Sequence, residues 1–164
     1  MQTLHNFSWV DLQMRRKRSY SPYKQGVYTP TTDKYKGSKK PVYRSSWELK
    51  FFRWCDGNSN VIEWTSESVV IPYTSPVTNR YSRYIVDNTV KILEGDRLVK
   101  YLIEIKPKRQ TEKPKSHGNK KHSTILHENM TYIKNQAKWA AAEKWCKTRG
   151  YKFQIITEDH LFNN

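Results

Sequence analysis

Cysteines and long apolar runs are scarce in this sequence, and each scarcity excludes a class of protein. The two cysteines, Cys55 and Cys146, lie too far apart for a disulfide framework or a CxxC metal site, and we expect both to be buried as small hydrophobic residues. No run approaches the roughly 18 apolar residues that would span a bilayer. The N-terminal segment lacks the charge order and cleavage site of a signal peptide, which predicts a protein that stays in the cytoplasm.

Acidic residues are also few, and the resulting charge indicates a polyanionic partner. Lys and Arg number 30 against 15 acids, so the formal net charge is +15 over 164 residues. Nucleic acid is the first candidate, ahead of a membrane surface. An RNA-binding protein of the ribosomal type would explain the charge but not the clustered acids described below. The length fits one domain with a single core.

The N-terminal residues 1–43 are predicted to form a basic arm. Two basic clusters, 15–18 and 34–40, are separated by Tyr, Pro, Ser and Gly with few aliphatic residues, which is typical of an extended or disordered segment. Its cations are expected to contact phosphates, with a solubilising tail as the alternative. Its tyrosines could stack on bases at a DNA end, although ordinary packing is the preferred interpretation for most of them.

The remaining residues, 44–164, are predicted to form one α/β domain with a mixed β-sheet flanked by helices. A buried helix is expected to begin at Ser45 or Ser46 and to stop at Asp56–Asn58. A second helix is expected over 125–149, before Gly150. The strands are predicted as a central antiparallel meander plus a final strand, at 61–64, 68–73, 81–93, 98–106 and 151–157.

Residues 107–123 contain Pro, Gly and many cations without any aliphatic residue, which predicts a mobile basic loop. Three histidines, His117, His122 and His127, recur at intervals of five residues in and after this segment. That spacing matches no single helix face and no zinc motif, so we interpret them as solvated loop histidines.

The strongest chemical signal is the pair Glu104 and Lys106 at the end of a hydrophobic strand. Side chains alternate across a strand, so these two point to one face while Ile103 and Ile105 point to the other. An acid and a lysine held together by apolar neighbours suggest a metal ligand beside a cation. The alternative interpretation of this pattern is a solvated polar face of the strand without a catalytic role.

Asp87, in the preceding predicted strand, is expected to approach Glu104 through hairpin pairing and to share a face with Arg83, Ile85 and Thr89. Two neighbouring carboxylates repel unless a cation bridges them, which favours Mg²⁺ or Mn²⁺. Lys106 would then orient or deprotonate a metal-bound water, and Glu48 would complete the site. Alternatively, Asp87 ends a strand and Glu48 is an acid favoured by the helix dipole.

Four separated motifs, RSSWELKFF, RYIVDN, EIKPK and AEKWCKTRGYKFQIITED, resemble the PD-(D/E)XK nucleases in the branch of transposon-end-cleaving endonucleases. The stretches YRSSWE, WTSESVVIPY, IEIKPK and GYKFQIITED are more similar still to the head completion nucleases of large contractile-tailed bacteriophages. The resemblance covers about residues 39–159. It implies a restriction-endonuclease-like core.

The resemblance also implies a catalytic set, formed by Glu48, Asp87, Glu104 and Lys106. Asp87, Glu104 and the Ile105 carbonyl would be the metal ligands, and weaker candidates are Glu67 and Asn135. The residue before Asp87 is Val86 where the family's name has proline. Proline supplies no ligand, so this departure leaves the implied chemistry intact.

The implied function is metal-dependent DNA cleavage during head completion, with processing or protection of packaged DNA ends before tail attachment. The implied partners are DNA ends or branched DNA and the head, portal or neck proteins, in the host cytoplasm or retained in the virion. A non-catalytic structural DNA-binding protein of the head or neck is the alternative. Phosphate contacts are expected from Arg15, Arg16, Lys17, Arg18, Lys39, Lys40, Arg44, Arg83, Lys108, Arg109, Lys120 and Lys121.

Overall fold

The computed structural model describes residues 24–115, 118 and 120–162. Within them the chain forms three α-helices, eight β-strands and a 3₁₀ helix at Lys108–Gln110. The helices are α1 (Ser46–Gly57), α2 (His122–Arg149) and α3 (Glu158–Phe162). The strands are β1 (Gly26–Val27), β2 (Val42–Tyr43), β3 (Val61–Ser66), β4 (Val70–Ser75), β5 (Arg80–Ile85), β6 (Asn88–Glu94), β7 (Arg97–Ile105) and β8 (Lys152–Ile156).

The described part of the predicted arm, residues 24–43, contains two short strands and packs against the domain. Strands β1 and β2 pair with each other, and Tyr28, Tyr35 and Tyr43 lie against the core. Asp56 of α1 accepts hydrogen bonds from this segment, including one of 2.8 Å from the Tyr28 hydroxyl. Basic cluster 15–18 lies outside the described residues.

Helix α1 begins as its sequence predicts. Ser45 is the N-cap, and its side chain accepts a hydrogen bond from the Glu48 amide at 3.1 Å. The helix buries Phe51, Phe52 and Cys55 almost completely, because apolar residues occupy most of its circumference. It extends to Gly57, with Asn58 as the C-cap.

The main sheet has four strands in the order β3-β6-β7-β8, antiparallel except for the parallel pair β7–β8. The predicted central meander is wrong in one respect, because β4 and β5 form a separate two-stranded hairpin inserted between β3 and β6. The single strand predicted over 81–93 is therefore two strands. It breaks at Val86 and Asp87, where the chain passes from the hairpin to the main sheet.

Two apolar clusters cover the two faces of this sheet. Helices α1 and α3 pack on one face, where β7 contributes Ile103 and Ile105. Helix α2 and the β4–β5 hairpin pack on the other, where β7 contributes Leu102. Helices on a mixed sheet confirm the predicted α/β class.

Helix α2 begins at His122, earlier than predicted, and ends at Arg149. Its C-cap, Gly150, adopts the left-handed conformation with φ +67° that glycine favours. His122 and His127 are therefore exposed helical residues and not loop residues, whereas His117 lies outside the described residues. Helix α3 was not predicted. Among the described helices, none is both long and apolar enough to cross a membrane.

Candidate active site

Glu104 and Lys106 lie on the α2 face of the sheet, as strand alternation predicts. The Glu104 side chain is almost fully buried, and its Oε1 lies 3.1 Å from the Lys106 Nζ. Its other oxygen, Oε2, accepts a hydrogen bond of 2.7 Å from the Tyr84 hydroxyl of β5. Glu104 is thus held from two sides before any ligand arrives.

The position of Asp87 relative to the strands differs from the prediction. It lies at the break between β5 and β6, so it does not share a regular strand face with Arg83 and Ile85. Its Oδ2 accepts a hydrogen bond of 2.7 Å from the Ile105 amide. In an uninterrupted strand, a backbone carbonyl would accept the hydrogen bond from the Ile105 amide. Here the Asp87 carboxylate accepts it instead. Asp87 thereby contacts the backbone of the residue that follows Glu104.

The charged groups in this cluster shift the pKa values of Asp87 and Lys106. Burial and the neighbouring Glu104 carboxylate hold the pKa of Asp87 well above its usual range, although Lys106 and the Ile105 amide act against them. Burial lowers the pKa of Lys106, but the Asp87 and Glu104 carboxylates outweigh it, so the net shift is upward. Lys106 therefore stays cationic here. The two acids would gain from a further positive charge.

Glu48 lies at the edge of the cluster and has a structural role of its own. Its Oε2 accepts a hydrogen bond of 3.0 Å from the Arg44 amide, and its Oε1 accepts one of 3.0 Å from the Ser45 hydroxyl. This arrangement is a variant of the capping box that starts α1. The negative charge of Glu48 nevertheless acts on the site, because it raises the pKa of both Asp87 and Lys106.

The two weaker candidates are placed differently. The Glu67 carboxylate forms an ion pair with Arg44 at the surface, and the Glu67 amide donates a hydrogen bond of 3.0 Å to the Asp87 carbonyl. Asn135 of α2 is buried, and its Nδ2 donates no hydrogen bond within the described part of the chain.

Two residues at the site escaped the sequence analysis, Tyr84 and Lys138. The Lys138 Nζ lies 5.2 Å from the centre of the Tyr84 ring. Burial lowers the pKa of Lys138, while the Glu104 and Asp87 carboxylates act in the opposite direction. Lys138 follows Asn135 by one helical turn, and this spacing was the only local sequence signal for it. Its contact with the site depends on how α2 packs on the sheet, so the sequence alone did not identify it.

We expect Tyr84→Phe to lower the thermal stability of the protein. The substitution leaves the buried Oε2 of Glu104 without its hydroxyl donor, a loss worth about 1–3 kcal/mol for a buried polar group. The ring and its contact with Lys138 remain. Thermal unfolding of the wild type and the variant would test this, and an unchanged Tm would contradict it.

The residues present fit a divalent cation. Asp87 and Glu104 supply carboxylate oxygens, the ligands that Mg²⁺ and Mn²⁺ prefer. The Ile105 carbonyl lies on the same strand edge as the Ile105 amide, which faces Asp87. No group of three or more His, Cys, Asp or Glu residues suited to a metal occurs in ranges 24–115, 118 and 120–162. Mg²⁺ usually keeps several waters and binds through one or two carboxylates, so water or a backbone oxygen would complete the coordination by Asp87 and Glu104.

The described residues that were expected to contact DNA are exposed, but three are paired with acids. Arg44 pairs with Glu67, Lys108 with Asp159 at 2.6 Å, and Lys120 with Glu128 at 2.8 Å. The other exposed members are Lys39, Lys40, Arg83, Arg109 and Lys121. Arg15, Arg16, Lys17 and Arg18 are outside the described residues.

Comparison with known proteins identifies the family of this chain. The family described as TnsA-like endonuclease N terminal matches residues 58–158, a range that includes Asp87, Glu104 and Lys106 but not Glu48. The chain is also 40% identical over 141 residues to the Head completion nuclease of Enterobacteria phage T4, covering 83% of this chain and 92% of that protein. The chain therefore belongs to the TnsA-like endonuclease family, and its core is the restriction-endonuclease-like α/β fold of that family.

Proposed function

We propose that this protein is a metal-dependent DNA endonuclease that acts during phage head completion. The observation that carries the proposal is the convergence of Asp87, Glu104 and Lys106 on the face of the sheet under α2. A buried carboxylate pair beside a lysine stores electrostatic repulsion, which is typical of sites built for a bound cation. The similarity to a head completion nuclease of a phage supports the biological role.

Asp87, Glu104 and the Ile105 carbonyl are the proposed metal ligands, with Mg²⁺ or Mn²⁺ as the ion. Such an ion polarises a phosphate and makes a bound water acidic. Lys106 stays protonated beside the two carboxylates, so its first role is to orient the attacking water and to stabilise the charge on the scissile phosphate. Glu48 acts through its charge and by fixing the start of α1.

The positive surface is proposed to bind DNA ends or branched DNA through phosphates. Cation contacts with phosphates carry no sequence information, so binding should weaken steeply as salt rises. The nuclease-like domain is proposed to comprise residues 44–164, and residues 1–43 are the proposed basic arm, of which the segment 24–43 packs on the domain. Head, portal or neck proteins are the proposed assembly partners, in the host cytoplasm or in the virion.

Divalent cations should stabilise the wild-type protein, and Asp87→Asn should remove that effect. Without metal, Asp87→Asn is expected to raise stability by about 0.5–2 kcal/mol, because it removes a carboxyl whose ionisation is disfavoured by burial and by Glu104, and it keeps a carbonyl oxygen for the Ile105 amide. This corresponds to a rise of about 1–8 °C in Tm. Thermal unfolding with EDTA, Mg²⁺ or Mn²⁺ measures both effects. A cation-induced shift of equal size in both proteins would place the ion elsewhere.

Cleavage of linear and branched DNA in Mg²⁺ or Mn²⁺, compared with EDTA, tests the proposed activity directly. Cleavage that appears only with the cation supports the enzyme. DNA binding that persists with no cation-dependent cleavage on any substrate would favour a structural DNA-binding protein of the head or neck.

A further inference from the structure

A cavity of about 630 Å³ lies apart from the carboxylate cluster, between the segment that follows β7 and the N-terminal half of α2. Its volume falls within the range of pockets that hold a small ligand, and a DNA duplex does not fit inside it. The segment contributes one wall and three turns of α2 contribute the other. No residue implied by the family resemblance to be catalytic lines it.

The lining of this cavity suits a nucleic-acid strand. Four cations line it against two acids, and the cations are Arg109, Lys113, Lys115 and Lys120. The Lys120 Nζ lies 3.0 and 2.8 Å from the two oxygens of Glu128, so one of the acids is already neutralised. Tyr132 and His127 add two flat rings to the helical wall. A basic groove with an aromatic platform is the general solution for binding single strands.

The cavity and the active site lie along one face of α2. Residues 124, 127, 128, 131 and 132 line the cavity at the spacing of a single helix face. The same spacing continues to Asn135 and Lys138, and Lys138 lies beside Tyr84 at the carboxylate cluster. Tyr132 is six residues from Lys138, about 9 Å along the helix axis. On the opposite wall, Arg109 follows Lys106 by three residues.

We propose that this cavity binds a single-stranded DNA segment that is continuous with the duplex at the active site. Arg109, Lys113 and Lys115 would contact its phosphates, and Tyr132 would stack on a base. The proposal rests on the proposed DNA endonuclease function and specifies its substrate: a DNA end or junction with an unpaired strand. Fully paired, blunt DNA would leave the cavity empty and bind more weakly.

Affinities measured by fluorescence anisotropy in EDTA would test this with three DNAs of matched duplex length: blunt, with a 3′ tail, and with a 5′ tail. The wild type should prefer at least one tailed DNA. The double variant Arg109→Ala/Lys113→Ala should lose that preference. The matched control, Lys144→Ala/Lys147→Ala, removes the same charge from exposed positions near the other end of α2, so it should weaken tailed and blunt DNA equally.

Substitutions at Tyr132 separate stacking from charge. Tyr132→Leu should weaken binding of tailed DNA by about 5- to 100-fold, the range for loss of one base–aromatic stack, and should leave blunt DNA unaffected. Tyr132→Phe keeps the ring and should bind like the wild type. Thermal unfolding of each variant identifies any that fail to fold.

Equal affinity of the wild type for tailed and blunt DNA would overturn the inference, as would equal binding by Tyr132→Leu and Tyr132→Phe. The underlying nuclease proposal is tested separately by cleavage of the same DNAs in Mg²⁺. Cation-dependent cleavage without a tail preference would reject the cavity and keep the enzyme. A tail preference that depends on Tyr132, with no cleavage, would keep the cavity and reject the enzyme.

Discussion

Replacing Glu104 or Lys106 by alanine should reduce DNA cleavage by about 10²–10⁴-fold, the range for loss of a group that acts in the transition state. Glu104→Ala removes a carboxylate that Tyr84 and Lys106 hold in place, and Lys106→Ala removes the cation beside both acids. Affinity for DNA should change little, because the exposed cations that contact phosphates remain. Single-turnover cleavage in Mg²⁺ and anisotropy in EDTA measure the two quantities.

A surface ion pair on the same sheet provides matched controls. Glu63 of β3 and Lys91 of β6 form a partly exposed pair away from the carboxylate cluster. Glu63→Ala and Lys91→Ala make the same changes in net charge and should keep nearly full activity, since exposed pairs contribute little to stability. Equal cleavage by Glu104→Ala and Glu63→Ala would overturn the assignment of the site.

Asp56→Ala should destabilise the fold by about 3–5 kcal/mol, the range for leaving buried partners of a charged group unpaired. One buried carboxylate accepts five hydrogen bonds, from the Tyr28 hydroxyl, the Thr31 amide and hydroxyl, the Thr32 hydroxyl and the Trp64 indole. These donors tie residues 28–32 to α1 and β3. Denaturant unfolding measures the loss, and proteolysis should then cleave the segment 24–43 first.

The acid stability of the protein should depend on the same residue. Burial acts to raise the pKa of Asp56, but the hydrogen bonds from Thr31, Tyr28 and Trp64 outweigh it and the net shift is downward. A depressed folded pKa stabilises the protein above the unfolded value, about 3.9, and that contribution is lost as the pH falls through the folded value. Asp56→Ala should therefore flatten the loss of stability below about pH 4. Asp96→Ala, in the exposed β6–β7 turn, should not, and a parallel decline in both variants would contradict this role.

Much of the site could be predicted because its signals are local. Alternation along one strand places Glu104 and Lys106 on one face, and the spacing of apolar residues with Ser45 as the cap defines α1. The motif IEIKPK adds a resemblance that the family match confirms. The catalytic roles of Glu48, Asp87, Glu104 and Lys106 stay predictions until the variants are measured.

What the sequence by itself determined is therefore the class of fold, the family and the Glu104–Lys106 pair, since each depends on neighbours within a few residues. Only the tertiary structure decided the break at Asp87, the contacts of Tyr84 with Glu104 and with Lys138, and the docking of residues 24–43 through Asp56. These depend on contacts between residues that are far apart in the sequence, as in the Ile105–Asp87, Tyr84–Glu104 and Tyr28–Asp56 hydrogen bonds, which join residues 18, 20 and 28 positions apart. The spacing of apolar residues and the helix and strand propensities describe the chain only locally. The packing of helices and strands on the sheet determines which distant side chains come into contact.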